Sequence, residues 1–421
     1  MKNVITILTC ILLFASLSAC SKLSDNPDRD DSVTISSLDM EIAEEIPLEF
    51  KTVTDNNYPG DGKESSADGY EAAGSYVYLG GAYYVDSTVN GSSRVAFMDF
   101  ETLNSFPLCA RPNCTHDSPE TCTAFGLASG ATVMLAAYDN SIYFVENEKE
   151  ISDKTGITNR ATVYKADLDG SNRIKVATLE NYTLDSFFVS GSKGYTIAFE
   201  QVLGDDITVN TLEYKNYIAE FDFETHEINI YDMLAHFYSS DSNGVIGEYG
   251  GMIYYLCIGS EELPQGMSPI HPDWFDTVHS TTVMKFYCFD PQSKTATEPK
   301  IPMPGERDGM KWFNADIVAA ADGYYVCQQK DTAIIASPDG ELMKIDNHRL
   351  TETASDIPIN GMMFNSDTEL ATELSTGDIY KLKSEAIGNA ESIIAYQKGE
   401  YVLYNFLPHL FRKLSPSELF A

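Results

Sequence analysis

Residues 107–122 read PLCARPNCTHDSPETC. Within them Cys109, Cys114, His116 and Cys122 form the pattern C-x4-C-x-H-x5-C, in a chain with only 8 cysteines and 7 histidines. Three thiolates and an imidazole are the donor set of tetrahedral zinc. A set in which the protein fills all four positions belongs to a structural site, because a catalytic one keeps a position open. The spacing is not the C-x2-C of zinc ribbons, so a second chemistry stays open. Outside the cytoplasm neighbouring cysteines oxidise, and Cys109–Cys114 or Cys114–Cys122 could bridge. That compartment places the disulfide ahead of the metal. Reduced thiols without a role are the third possibility. Either of the first two would brace a loop rather than perform a reaction.

A second constellation lies in GSEELPQGMSPIHPDWFDTVHST, where His271, Asp273, Trp274, Asp276 and His279 crowd together. Aspartate and histidine can share a metal or move protons, and Trp274 can stack on a sugar or seat a peptide. The commoner meaning of such a stretch is a rigid, proline-rich loop whose tryptophan packs on its own scaffold. Cys257, Cys288 and Cys327 stand in YYLCIG, FYCFD and YYVCQQ, strand contexts in which a free cysteine acts as a small hydrophobe. The chain has no G-x-S-x-G elbow, P-loop or H-E-x-x-H. A glycosidase pair of carboxylates, drawn from distant positions, stays open.

The elements that must position these residues repeat along the chain. SYVYLGGAYYVD, TVMLAAYDNSIYFVEN, SFFVSGSKGYTIAFE, GVIGEYGGMIYYLC, DIVAAADGYYVCQQ and SIIAYQKGEYVLYNF each place an apolar strand, a tight turn and an aromatic strand in sequence. Between them run second hairpins: RVAFMDFETLNSF, ATVYKADLDGSNRIKVAT, NYIAEFDFETHEINIYD, VMKFYCFDPQSKTATEP and TAIIASPDGELMKI. Most of these begin their turn with an aspartate, whose side chain can bond the backbone two residues on. The recurrence of that device makes DLDG at 167–170 a plain turn rather than a calcium loop. Two hairpins in series give a four-stranded antiparallel sheet. Six such units and a degenerate seventh, INGMMFNSDTELATELSTGDIYKLK, predict an all-β fold: a β-propeller of seven blades, with six or eight as alternatives. The last unit lacks a clear second hairpin, and a strand at 44–54 could complete it and latch the ring. Within-hairpin turns are tight, whereas NEKEISDKTGITN, QVLGDDITVNTLEYK and the loop with Trp274 read as long connections on one face. The cysteine-rich stretch joins the first unit to the second and belongs with them.

Compartment comes from the N-terminus. Lys2 precedes an apolar run from Val4 to Ala15, too short to span a bilayer comfortably, and then Leu17-Ser18-Ala19-Cys20. LSAC resembles the lipobox of bacterial lipoproteins. The resemblance implies removal of residues 1–19, lipid on Cys20, and a protein held at the cell membrane on its extracytoplasmic side. Residues 20–73 are polar and acidic apart from EEIPLEFKTVT and read as a tether, leaving 74–421 as the propeller domain. With 63 acidic against 28 basic residues the net charge is −35. That excludes nucleic acid as a partner and leaves the lipid, not surface charge, to hold the membrane. The repeats are similar to the β-propeller lipoproteins common in Gram-positive gut bacteria, some of them classed with receptor-related propeller domains. That resemblance implies fold and location, and no activity. The sequence therefore predicts a monomeric, non-catalytic module binding a protein, peptide or glycan. A funnel-sited hydrolase or lyase, or a structural subunit of a membrane complex, are the alternatives. The cofactor it allows is a structural zinc.

Overall fold

Paired left-handed residues make the inner hairpins. Leu79 and Gly80 have φ of 50° and 70°, Asp139 and Asn140 45° and 57°, Gly250 and Gly251 60° and 77°, and Lys398 and Gly399 51° and 81°. Two successive positive φ values are what a two-residue type I′ loop requires, and its twist matches that of the flanking strands. The outer hairpins turn on aspartate. Asp99 Oδ1 accepts the Thr102 N–H at 2.7 Å, Asp222 Oδ1 accepts those of Glu224 and Thr225 at 2.8 and 2.9 Å, and Asp290 Oδ1 accepts that of Gln292 at 2.8 Å. Four residues after each aspartate, Leu103, His226 and Lys294 take positive φ and close the turn. DLDG closes as a turn too, with the Gly170 N–H bonded to Asp167 O at 2.8 Å and the Ser171 N–H to Asp169 Oδ1 at 2.9 Å.

The computed structural model describes residues 34–36, 40–41, 70–72, 75–87, 93–117, 121–125, 135–152, 156–185, 187–203, 212–237, 239–260, 282–297, 317–321, 323–329, 332–346, 350, 358–366, 368–384, 386–388, 391–405 and 410–421. Its strands fall into successive antiparallel groups. The first holds Tyr70–Ala72, Ser75–Tyr78, Gly81–Ser87, Ser93–Asp99 and Ser105–Pro107, and the second Leu135–Tyr138, Ser141–Ser152, Gly156–Asp167 and Ile174–Glu180. The third holds Phe188–Ser190, Lys193–Leu203, Leu212–Asp222 and Ile228–Phe237, and the fourth Ser239–Tyr249, Met252–Ser260, Thr282–Asp290 and Thr295–Thr297. Ile317–Ala321, Tyr324–Gln329, Thr332–Ala336 and Leu342–Asp346 make the fifth. Met362–Asn365, Leu370–Glu373 and Ile379–Lys381 belong to the sixth, and Glu391–Gln397, Glu400–Asn405 and Leu410–Leu414 to the last.

Each group buries both faces against its neighbours. Tyr83 and Val95 of the first pack on Ile142 and Phe144 of the second, and Tyr143 and Val163 of the second on Phe221 and Phe223 of the third. Ile197 and Tyr231 meet Tyr255 and Phe289, Tyr254 and Cys288 meet Tyr325 and Cys327, Val326 and Ile335 meet Met363, and Phe364 and Tyr380 meet Tyr401 and Leu403. The series then closes, because Ile394, Val402 and Tyr404 of the last group pack on Ala82, Tyr84 and Met98 of the first. A closed ring of antiparallel sheets, here of three to five described strands, packed face to face around an axis, is a β-propeller. Burial on both faces explains the near-continuous apolar strands and the placement of Cys257, Cys288 and Cys327, at most 4% exposed.

Near the axis the inner strands converge. Gly247 of the fourth group pairs in parallel with Ala320 of the fifth, and a Cβ on Gly247 would lie 1.7 Å from Ala320 O. Glycine is the residue that permits this approach. Tyr70–Ala72, within the stretch read as tether, adds a further strand to the inner edge of Ser75–Tyr78. On the outer rim Thr34–Ser36 runs parallel to Ile228–Phe237, and Met40–Glu41 parallel to Thr295–Thr297. The proposed latch at 44–54 lies outside the described residues.

Two stretches read as long loops are strand at both ends. Ser141–Ser152 and Gly156–Asp167 stay paired as far as Gly156↔Ser152, and Lys193–Leu203 pairs with Leu212–Asp222 as far as Leu203↔Leu212. Ile151, Ile157, Thr158 and Val202 suit a pleated ribbon, and cross-strand pairing carried them into it despite the polar residues between. Leu410–Leu414 supplies a third strand to the last group, which the sequence did not signal. The chain then turns through Pro416–Leu419, capped reciprocally by Ser415 and Glu418, and bonds back onto the sixth group: Lys383 N–H to Leu419 O at 2.8 Å and Ala421 N–H to Lys381 O at 2.9 Å.

Candidate metal centre

The strand Ser93–Asp99 positions the centre. Its outer edge is taken first by Ser105–Pro107 and then by Leu108, whose N–H bonds Val95 O at 2.9 Å. The chain leaves the edge there and returns to it at Ala124, whose carbonyl accepts the Val95 N–H at 3.0 Å; Phe125 bridges Arg94 beyond it. Residues 109–123 are therefore an excursion inserted at a single residue of the sheet edge. Cys109 stands at its exit and Cys122 just before its return. Packing fixes the neck, since Leu108, Cys122, Ala124 and Phe125 are buried in the core between the first and second groups. The turn after Gly156–Asp167 presses against it: a Cβ on Gly170 would stand 2.8 Å from Leu108 O, so the positive-φ glycine also clears the approach.

At that neck the ligand atoms of Cys109, Cys114, His116 and Cys122 all lie within 4.8 Å of one another. Zinc with Zn–S bonds of about 2.3 Å spaces its sulfurs roughly 3.8 Å apart in a tetrahedron, so the cluster could close on a metal ion by small side-chain rotations. His116 Nδ1 is 3.3 Å from Cys122 Sγ. The cysteines are free thiols, Cys122 buried and Cys109 and Cys114 half-buried. Backbone hydrogen bonds hold the excursion in shape. Arg94 Nη1 donates to His116 O at 2.6 Å, Arg111 Nη1 to Thr121 O at 2.7 Å, and the Cys114 thiol to Thr121 O at 3.6 Å. Asn113 and His116 have φ of 60° and 56°. A left-handed histidine is strained, and it persists where its surroundings over-determine it. Here Arg94 holds its carbonyl and Cys122 its ring.

The electrostatics separate the two neck thiols. Burial pushes Cys109 up, but hydrogen bonds from the Thr123 side chain, the Arg111 and Thr123 backbone N–H groups and the Cys122 thiol outweigh it and bring it down to about 6. Burial dominates at Cys122, and donation to Cys109 and Cys114 adds to it, so that thiol is pushed up to about 11. One thiolate stands ready beside a thiol held neutral by its site. A divalent cation would supply the charge that Cys122 lacks and displace its proton.

All four residues of the cysteine-rich motif are thus brought together. His271, Asp273, Trp274, Asp276 and His279 lie outside the described residues, as does Cys20. Arg94 and Thr123 were not read as part of the site. Thr123 directly follows Cys122, but a threonine there carries no ligand signal, and Arg94 reaches the motif only through the sheet edge.

The chain was compared with known proteins. No protein-family model and no curated protein sequence matches it. Among solved structures it is similar to an oligogalacturonate lyase in complex with manganese, at 10% identity and a TM-score of 0.41, covering 82% of this chain and 87% of that one. It is similar to the β-propeller domain of the trilobed protease from Pyrococcus furiosus, at 11% identity and a TM-score of 0.39, covering 84% and 93%. An acylaminoacyl peptidase from Pyrococcus horikoshii is similar at 12% identity and a TM-score of 0.38, covering 80% of this chain and 49% of that one.

Proposed function

We propose that this chain is a monomeric, seven-bladed propeller, tethered to the cell membrane through lipid on Cys20 and facing the extracytoplasmic side. On this reading it is a non-catalytic module that binds a protein, peptide or glycan, and Cys109, Cys114, His116 and Cys122 hold a structural zinc that braces the outer edge of its first blade. The observation that carries the reading is the completeness of the donor set, four protein ligands within 4.8 Å of one another. Such a shell leaves no position for substrate or an activated water. Bound zinc would fix the neck of the excursion, orient the loop and lend it rigidity.

The test is metal analysis of the purified full chain under reductant, with a free-thiol count. One zinc per chain, lost in a Cys114→Ser, His116→Ala variant that keeps the β-sheet spectrum, supports the site. A fully reduced chain that binds no zinc overturns it. Anchoring is tested separately, because Cys20→Ser should release the protein from the membrane fraction.

A further inference from the structure

The described cysteines divide into two kinds. Cys257, Cys288 and Cys327 lie inside strands and are at most 4% exposed, beyond the reach of a solute. Cys109 and Cys114 are half-buried on the loop, with the buried Cys122 behind them. A reagent from solution therefore meets Cys109 or Cys114 first and finds a second sulfur within 4.8 Å of the one it modifies. An accessible thiol backed by a buried one is the arrangement of attacking and resolving cysteines.

We propose that this cluster is a site of thiol–disulfide exchange, in which an external disulfide converts the zinc-bound thiolates of Cys109 and Cys122 into a disulfide and releases the metal. The inference rests on the zinc reading for its starting state. The Cys109 thiolate leaves zinc and attacks one sulfur of the external disulfide, whose S–S bond breaks and expels a thiolate. The Cys122 thiolate then attacks the Cys109 sulfur, forming the Cys109–Cys122 bond and expelling the second external thiolate. Two electrons pass from the protein pair to the external disulfide, which ends as two thiolates. Zinc keeps only Cys114 and His116 and departs.

Geometry selects the pair. Cys109 follows Leu108 and Cys122 precedes Ala124 by two residues, and those neighbours bond the carbonyl and the N–H of the same residue, Val95. The two cysteines thus flank a neck that the sheet already holds closed, and a disulfide there clips the excursion as the metal does. Their sulfurs already lie within 4.8 Å of one another, against the about 2 Å of an S–S bond. Cys114 also receives a hydrogen bond from the Cys122 thiol, but it stands out on the loop and not at the neck, with its own thiol directed to Thr121 O. The site would therefore brace the loop in either redox state of its surroundings, and the exchange would change the loop's metal content without undoing its fold.

The experiment treats the full chain with oxidised glutathione and maps disulfides by peptide mass spectrometry while a zinc dye follows release. The expected result is a Cys109–Cys122 bond, one zinc released per bond, Cys114 still alkylatable, and reversal by reductant with zinc. Cys122→Ser should instead accumulate glutathione on Cys109, and Cys114→Ser should form the same bond. A bond to Cys114, a persistent mixed disulfide in the unmodified chain, or oxidation with zinc retained would overturn the proposal. Missing metal at the outset marks failure of the zinc reading, whereas the mapped bond decides this one whether or not zinc was loaded.

Discussion

At the scale of single residues, the centre depends on groups that are not ligands. Arg94 holds the strained His116 by its carbonyl oxygen. Removing such an outer partner weakens metal affinity by about 10- to 100-fold. Arg94→Met should therefore lower zinc affinity by roughly that factor in a chelator competition, with ligands and stoichiometry unchanged. A second residue-scale prediction concerns charge. Glu220 is 3% exposed, and its carboxylate is shared by Lys193, at 3.6 Å, and Lys294. Lys398 and Glu101 pair at 2.9 Å with side chains 56% and 70% exposed. Removing one partner of a buried carboxylate costs about 3 kcal/mol or more, whereas an exposed pair contributes less than about 1 kcal/mol. Denaturant titration should show Lys294→Met well below Lys398→Met, with Lys193 softening the larger loss.

Elements carry the pH dependence and the closure of the chain's end. Asp222 is set by burial, which raises it, and by the Lys193 ammonium at 2.5 Å and the Thr225 and Glu224 N–H groups, which prevail and bring it to about 2. A carboxyl depressed in the fold adds stability that is present above its unfolded range, about 4, and is lost as pH falls towards 2. Asp99 and Asp290, lowered chiefly by their turn hydrogen bonds, have the same sign. His226 is held down by burial and by Lys165, so it adds stability above about pH 6.5 that is lost as the pH drops. Thermal midpoints should fall from pH 7 to pH 3, and Asp222→Asn should flatten the lower part of that fall. A midpoint that rises on acidification contradicts the account. Leu419 and Phe420 are 0% and 6% exposed in the core shared by the sixth and last groups. Deleting 415–421 should cost about 3–6 kcal/mol from those two side chains, measured by denaturant unfolding. The hairpins were legible in the sequence because alternation and turn chemistry are local. The strand Leu410–Leu414 was not, because LFRKL lacks clear alternation although it pairs with the adjacent strand Glu400–Asn405, and the tail was not, because its partners Lys381 and Lys383 lie well back along the chain. Ile151 and Ile157 read as loop in the sequence because polar neighbours mask a pairing that only the partner strand reveals.

For the whole molecule, propeller geometry turns one local motif into a site. The spacing C-x4-C-x-H-x5-C made the donors legible as a set. Their convergence was not legible, because it depends on Leu108 and Ala124 both bonding Val95, a two-sided contact that no local pattern marks. At the axis, Gly247→Ala should force the fourth and fifth groups apart, since its Cβ would sit 1.7 Å from Ala320 O. A thermal midpoint clearly below that of the unmodified chain is the expected reading. A zinc or disulfide clasp at the neck would close a short loop, and a cross-link of that size is worth about 3 kcal/mol. The measurement that bears most directly on the central claim is X-ray absorption at the zinc edge of the reduced, full-length protein. The account predicts one zinc bound by three sulfurs at about 2.3 Å and one imidazole nitrogen at about 2.0 Å. Zinc with oxygen ligands in its shell, or no zinc in a protein whose loop thiols are all reduced, would contradict it.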